Sequence, residues 1–228
     1  MSNDNENTPL EQSLRELEGP APAAWERMRR DLAGAAERSG LIDVAFERHD
    51  SPLGVIIVGA TRDGLVRVGL PAEDEDAVLQ QLAERVSARV LHASRDSLTQ
   101  TRRELDEYFD HNRQVFEIPL DWRLTGGFRR EVLRATAEIP YGETASYRDV
   151  ATRAGSPNAV RAAGTALATN PLPIVVPCHR VLRSGGGLGG YAGGPETKAA
   201  LLHLEGQNPG GQSPKNPAGQ SPKNPAGQ

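Results

Sequence analysis

The chain is 228 residues long, with a net charge of −4, 24 glycines, 17 prolines and one cysteine. It holds no run of about 18 apolar residues that could span a membrane, and its polar, acidic N-terminus lacks the basic and apolar regions of a secretory signal. A single cysteine excludes an internal disulfide and a zinc site built on several cysteines, so a reducing, cytoplasmic setting is expected.

Residues 1–40 read as a helical N-terminal extension. Thr8-Pro9-Leu10-Glu11 has the form of a capping box and predicts a short helix to Glu18. A second helix is expected over 24–38, with Trp25, Met28, Leu32 and Ala35 on one face and Gly40 just past its end. From 41 to 122 the pattern is that of a small α/β domain. Three β-rich runs, 42–48, 54–60 and 64–70, are separated by Asp50-Ser51-Pro52 and Arg62-Asp63-Gly64, which predicts an antiparallel meander. Helices are expected over 73–88 and 97–109, and a further strand over 115–120. This part contains no phosphate loop, metal-ligand spacing or catalytic triad.

Residues 123–206 differ in charge as well as pattern. Residues 126–206 carry 9 Lys and Arg against 6 Asp and Glu, whereas 1–125 carry 15 against 24. A local basic face is what a phosphate backbone senses, so the overall acidity does not exclude a nucleic-acid ligand. A helix is expected over 128–139, ended by Pro140-Tyr141-Gly142. Ser146-Tyr147-Arg148-Asp149 is a second capping box and opens a helix to Arg153, stopped by Gly155. Ser156-Pro157 supplies an N-cap and a first-turn proline for a third helix reaching Ala168. Two short helices around a glycine turn fit a helix-turn-helix, and they fit plain helix packing equally. The tail, 207–228, repeats SPKNPAGQ and is too rich in proline and glycine to build a core; disorder and no catalytic role are expected.

The stretch NPLPIVVPCHRV, 170–181, carries the chemistry. A buried apolar strand over 174–176 is expected to deliver Pro177 and then Cys178-His179. Proline fixes the backbone and would hold the thiol in one place. A thiolate is the nucleophilic form of cysteine, and His179 can favour it through a bridging water if a third group orients the imidazole. Glu205, at the end of a helix over 196–204, is the candidate. The alternative is an inert buried cysteine. The glycine-rich run Ser184 to Gly194 is either a closing wall around a flat ligand, with Tyr191 as its aromatic face, or an ordinary mobile loop.

NPLPIVVPCHRV, with SYRDVA before it, VRAAGTA between, and GGYAGG and LLHLEG after it, closely resembles the O6-alkylguanine-DNA alkyltransferases, the methylated-DNA–protein-cysteine methyltransferases. The resemblance is dense over 128–206 and thinner over 43–120. It implies an α+β fold: a small ribonuclease H-like N-terminal subdomain with a short antiparallel sheet, then a mainly helical domain with a helix-turn-helix. It implies that Cys178 accepts the alkyl group, that His179 and Glu205 favour its thiolate, that Tyr147 donates a hydrogen bond to the leaving guanine, and that Asn170 ties the helix-turn-helix to the cysteine. Arg161 resembles the arginine that fills the gap left by an extruded base. Ala162, Ala163 and Gly164 fit a helix that enters the minor groove, and Arg129 a phosphate contact. Pro173, Val181, Tyr191, Ala192 and Gly193 resemble pocket wall.

The physics agrees with that reading. An O6-alkyl carbon is inaccessible inside a duplex, so the base must be flipped out at a cost of a few kcal/mol, offset by an inserted side chain and backbone contacts. The resemblance implies irreversible transfer, one per molecule, from O6-alkylguanine in double-stranded DNA, with O4-alkylthymine as a second candidate. It implies no cofactor, no metal and no membrane, and a monomer, with cooperative clustering on DNA a further expectation. Two departures stand out: Gly126-Gly127-Phe128-Arg129 lacks the family's usual threonine and glutamine, and no N-terminal metal-binding cysteines are present. A non-catalytic damage sensor would replace Cys178, commonly with tryptophan. A cysteine hydrolase would need an oxyanion hole and turnover, and would leave the helix-turn-helix unexplained. A methylation-responsive transcription factor would carry a cysteine-rich zinc-binding domain.

Overall fold

The computed structural model describes residues 22–207; the helix expected after Thr8 and the repeated tail lie outside the described residues. Helix α1 (Pro22–Arg38) ends before Gly40, whose φ of +67 a glycine adopts at little cost. The apolar face read from the sequence is turned outward: Trp25, Met28 and Leu32 are 47%, 49% and 67% exposed. The helix docks instead through Ala33 and Ala36 near its end, where Glu37 pairs with Arg95 at 2.9 Å.

Strands β1 (Val44–Ser51), β2 (Gly54–Thr61) and β3 (Gly64–Gly69) form the expected antiparallel meander, with Ala45 opposite Ala60 and Val58 opposite Val68. Helix α2 (Glu75–Arg85) covers one face, packing Val78 against Phe46 and Ile57 and Leu82 against Val44 and Val66. Helix α3 (Asp96–Phe109) serves the other, where Leu98, Leu105 and Tyr108 join Ala45, Ile56 and Val58. A sheet covered on both faces reads as continuous apolar runs, which explains GVIIVGA. A short strand, β4 (Val90–His92), pairs parallel with β1; three residues are too few for a period to register in the sequence.

The strand expected over 115–120 does not form. Only an isolated bridge joins Leu120 to Leu65, held by Leu65 N–H to Pro119 O and Asp121 N–H to Leu65 O. Pro119 has no N–H to give a ladder, and the N–H of Glu117 donates to the Glu104 carboxylate instead.

Helices α4 (Gly127–Ala137), α5 (Tyr147–Arg153) and α6 (Val160–Ala168) pack on one another, and α7 (Gly194–Leu204) closes the chain. The capping box at α5 is complete: Ser146 Oγ accepts from Asp149 N–H, and the Asp149 carboxylate accepts from Ser146 N–H. Gly155, at φ +80, ends the run as expected. Helix α6 starts three residues later than its proline predicts, because Ser156 closes a turn with Ala159 (N–H to O, 2.9 Å) rather than capping the helix. Strands β5 (Ala145–Ser146) and β6 (Val181–Leu182) pair in parallel. Val68 on β3 donates to Pro171 O at 2.8 Å, so the sheet edge grips the segment leading to Cys178, and one apolar cluster runs through both halves. No described helix is long and apolar enough to cross a membrane.

Candidate active site

The segment expected as a strand over 174–176 is a buried turn. Val176 N–H donates to Leu172 O at 2.8 Å, and Ile174 sits at φ +72, a conformation that costs a β-branched residue on the order of 1–3 kcal/mol. Pro173 and Pro177 lack the N–H groups a ladder would use, which explains why an apolar run this short coils. A 3-10 turn, Cys178–Arg180, follows at once, with Cys178 N–H on Val176 O.

Asn170 holds this turn together. Its Nδ2 donates to Val176 O at 2.8 Å and to Cys178 Sγ at 3.2 Å, while Oδ1 accepts from Leu172 N–H at 3.0 Å. Cys178 is buried. Burial pushes its thiol up to about 11, against the downward pull of the Asn170 amide and the Lys198 ammonium. Burial thus favours the neutral thiol, while the Asn170 amide and Lys198 favour the thiolate that transfer needs.

His179 is sealed from solvent, its Nε2 2.8 Å from Glu205 Oε1. A carboxylate only accepts, so the proton is on Nε2 and Nδ1 carries the lone pair. Nδ1 has no partner among the described residues. Burial lowers the His179 pKa despite Glu205, which keeps the ring neutral and basic at that atom. Glu205 caps the end of α7 and also accepts from Tyr108 Oη at 2.7 Å and from Arg180 Nε and NH2, both at 2.9 Å. Burial raises the Glu205 carboxyl, but the hydrogen bonds from His179 and Arg180 prevail and hold it at about 2.

A cleft of about 570 Å³ opens beside this core, lined by Tyr147, Val160, Arg161, Gly164, Ala168, Arg183, Ser184, Gly189 and Gly190. Burial raises the Tyr147 phenol, so it stays a donor, and its ring packs over Gly164. Gly189, at φ +67, passes so close to the Tyr147 hydroxyl that a methyl group there would collide with it. The loop's glycines thus give the tyrosine its room.

The expected residues do not all meet there. Cys178, His179, Glu205 and Asn170 form one buried constellation, and Tyr147, Arg161 and Gly164 line the cleft. Ala162 is exposed, but Ala163 is fully buried among core residues, because α6 turns that position inward; it is not placed to touch DNA. Arg129 lies outside the cleft lining and donates through one guanidinium nitrogen to Thr169 O at the end of α6. None of Pro173, Val181, Tyr191, Ala192 and Gly193 lines the cleft: Pro173, Val181 and Gly193 are buried, and the Tyr191 ring stands edge-on to His179 with its hydroxyl buried and unpartnered among the described residues.

Three buried polar residues escaped sequence reasoning. Arg180 and Tyr108 complete the shell of Glu205, and Lys198, fully buried on α7, donates to Val181 O at 2.6 Å. Burial lowers Lys198 to about 8. Arg180 lies inside the PCHRV run and could have been found there; nothing local marks Tyr108 or Lys198.

Comparison with known proteins agrees with this arrangement. Residues 35–122 match the family model "6-O-methylguanine DNA methyltransferase, ribonuclease-like domain", and residues 127–207 match "6-O-methylguanine DNA methyltransferase, DNA binding domain". The chain is 41% identical over 157 residues to the constitutive methylated-DNA–protein-cysteine methyltransferase of Bacillus subtilis, covering 68% of this chain and 92% of that one. It is 37% identical over 169 residues to the methylated-DNA–protein-cysteine methyltransferase of Mycolicibacterium paratuberculosis, covering 71% and 92%. The crystal structure of Mycobacterium tuberculosis OGT in complex with DNA superposes with a TM-score of 0.60 at 33% identity, covering 73% of this chain and 96% of that one.

Proposed function

The chain belongs to the methylated-DNA–protein-cysteine methyltransferase family, and on that footing we propose that Cys178 is the residue that receives the alkyl group. The protein repairs DNA by moving an alkyl group from O6-alkylguanine onto a cysteine of its own. The observation that carries the assignment to Cys178 is its contact with Asn170 beside a neutral His179 whose Nδ1 is free to accept a proton.

In this reading the thiol proton passes through a water to His179 Nδ1, and Glu205 stabilises the imidazolium through Nε2. The Sγ–carbon bond forms as the carbon–O6 bond breaks. The electron pair stays with the purine, whose charge is met by a hydrogen bond from Tyr147 Oη; the proton balance closes when the restored guanine, still in its strand, takes up through water the proton that His179 received from the thiol. The product thioether is stable, so each molecule acts once. Double-stranded DNA carrying the damaged base is the partner. Helix α6 lies in the minor groove, and Arg161 fills the gap left by the flipped nucleotide. Residues 123–206 form the DNA-binding and acceptor unit, behind a domain over 41–122, in a cytoplasmic setting.

The test is a duplex holding one O6-methylguanine, mixed with the protein and followed by intact and peptide mass. One methyl on the peptide containing Cys178, absent in Cys178→Ala, is the expected result. Repeated turnover, or binding with no change in mass, overturns the reading.

A further inference from the structure

Strands β5 and β6 run parallel with Ser146 opposite Leu182, so the next residues, Tyr147 and Arg183, leave the pair side by side. The β6 exit is stiffened by a tight turn: Arg183 N–H donates to Gly187 O and Gly186 N–H donates to Arg183 O, both at 2.8 Å, with Gly186 at φ +79. Arg183 therefore stands at a set position and lines the cleft together with Arg161 on α6 and Tyr147. Both arginines are exposed, and among the described residues neither lies within salt-bridge distance of a carboxylate. Most arginines of the sheet domain behave differently: Arg48, Arg67, Arg89, Arg95, Arg102 and Arg113 pair with acids of the chain, whereas Arg62 and Arg85 do not among the described residues. Arg183 is close enough for its charge to act on the Tyr147 phenol.

We infer that Arg183 is a positioning residue that grips a backbone phosphate of the damaged strand next to the flipped nucleotide, pairing with Arg161 to hold that strand across the mouth of the cleft. This rests on the reading of Cys178 as acceptor. A guanidinium is suited to the role because its planar donors meet phosphate oxygens in pairs, and a rim arginine without an internal partner loses no ion pair on binding. The consequence is a preference for lesions carried in DNA. A free O6-alkylguanine base has no phosphate, so it gains nothing from Arg183.

The experiment compares wild type, Arg183→Ala and Arg183→Lys in two assays. Single-turnover alkylation of Cys178 is timed with an O6-methylguanine duplex and with the free base O6-benzylguanine. Binding of the same duplex is followed by fluorescence anisotropy over a series of salt concentrations. Arg183→Ala is expected to lower the ratio of duplex to free-base rate by about tenfold, with Arg183→Lys in between, and to make the slope of log affinity against log salt shallower by about one. An equal loss on both substrates marks a purely structural role and overturns the proposal, as does an unchanged salt slope. If wild type is alkylated by neither substrate, the acceptor reading falls, while the anisotropy series still decides whether Arg183 meets a phosphate.

Discussion

Asn170 and Cys178 stand eight residues apart in the chain, and the amide of one donates to the sulfur of the other at 3.2 Å. The same amide group holds Val176 O and Leu172 N–H, so every hydrogen-bonding group of Asn170 but one lone pair is spent on shaping the turn that carries the thiol. Asn170→Ala leaves the buried Leu172 N–H unpaired, takes from Val176 O one of its two donors and removes a donor that favours the thiolate. A loss of about 3 kcal/mol in stability is expected, with the thiol pKa moving further up. Chemical denaturation and thiolate ultraviolet absorbance against pH measure the two effects; an unmoved thiol titration would show that the amide only holds the backbone.

Glu205 accepts from His179, Arg180 and Tyr108, all buried. Glu205→Gln leaves the Arg180 guanidinium without its counter-ion, and breaking such a pair costs about 3–5 kcal/mol. The melting temperature should drop steeply, and alkyl transfer should slow because the imidazolium at position 179 loses its support.

Acid should undo the same network in the wild type. The Glu205 carboxyl is held at about 2 in the fold, so its contribution is present above the ordinary carboxylate pKa and is lost as pH falls from there toward 2. The lowered pKa of His179 acts in the same direction: the unfolded chain takes up that proton near the ordinary histidine pKa and the fold does not, so stability also declines as pH falls through that region. Equilibrium unfolding across acidic pH should show this decline flattened in Glu205→Gln. A parallel decline in the variant would place the acid sensitivity elsewhere.

Lys198 is a buried cation that donates to Val181 O and faces the Tyr147 ring, and it pulls the Cys178 thiol toward ionisation. Lys198→Met removes both the desolvation penalty and that pull. The relief of that penalty is set against the donor that Val181 O loses, so stability should change by no more than about 1–2 kcal/mol, while alkyl transfer slows because the thiol is harder to ionise. Thermal denaturation and single-turnover rates, taken together, separate this outcome from simple misfolding, which would lower both.

Gly189→Ala places a methyl group against the Tyr147 hydroxyl and asks a residue at φ +67 to carry a side chain. About 1–2 kcal/mol of stability should go to the backbone conformation. The displaced tyrosine should cut transfer more than that loss explains. A variant with native rates would mean that the loop gives way and the tyrosine stays.

Much of this protein is written locally. The capping box at Ser146 and Asp149, the meander from Val44 to Gly69 and the Pro177-Cys178-His179 sequence each depend on residues within a few positions of one another, so pattern and motif were enough to read them. Long-range contacts decided the rest. The run at 174–176 has the composition of a strand, yet it coils because Pro173 and Pro177 offer no N–H and Asn170 captures Val176 O. Trp25, Met28 and Leu32 form an apolar stripe that the fold leaves outside, since α1 docks by its small residues. Tyr108 and Glu205 lie 97 residues apart, and nothing near Lys198 in the sequence marks its burial. The sequence by itself determined the chemical cast, the thiol, the imidazole and the carboxylate. Only the tertiary structure decided which polar groups lose their water and which partners meet them there: burial favours the neutral thiol and the neutral imidazole, while the hydrogen bonds from His179 and Arg180 hold Glu205 ionised against it.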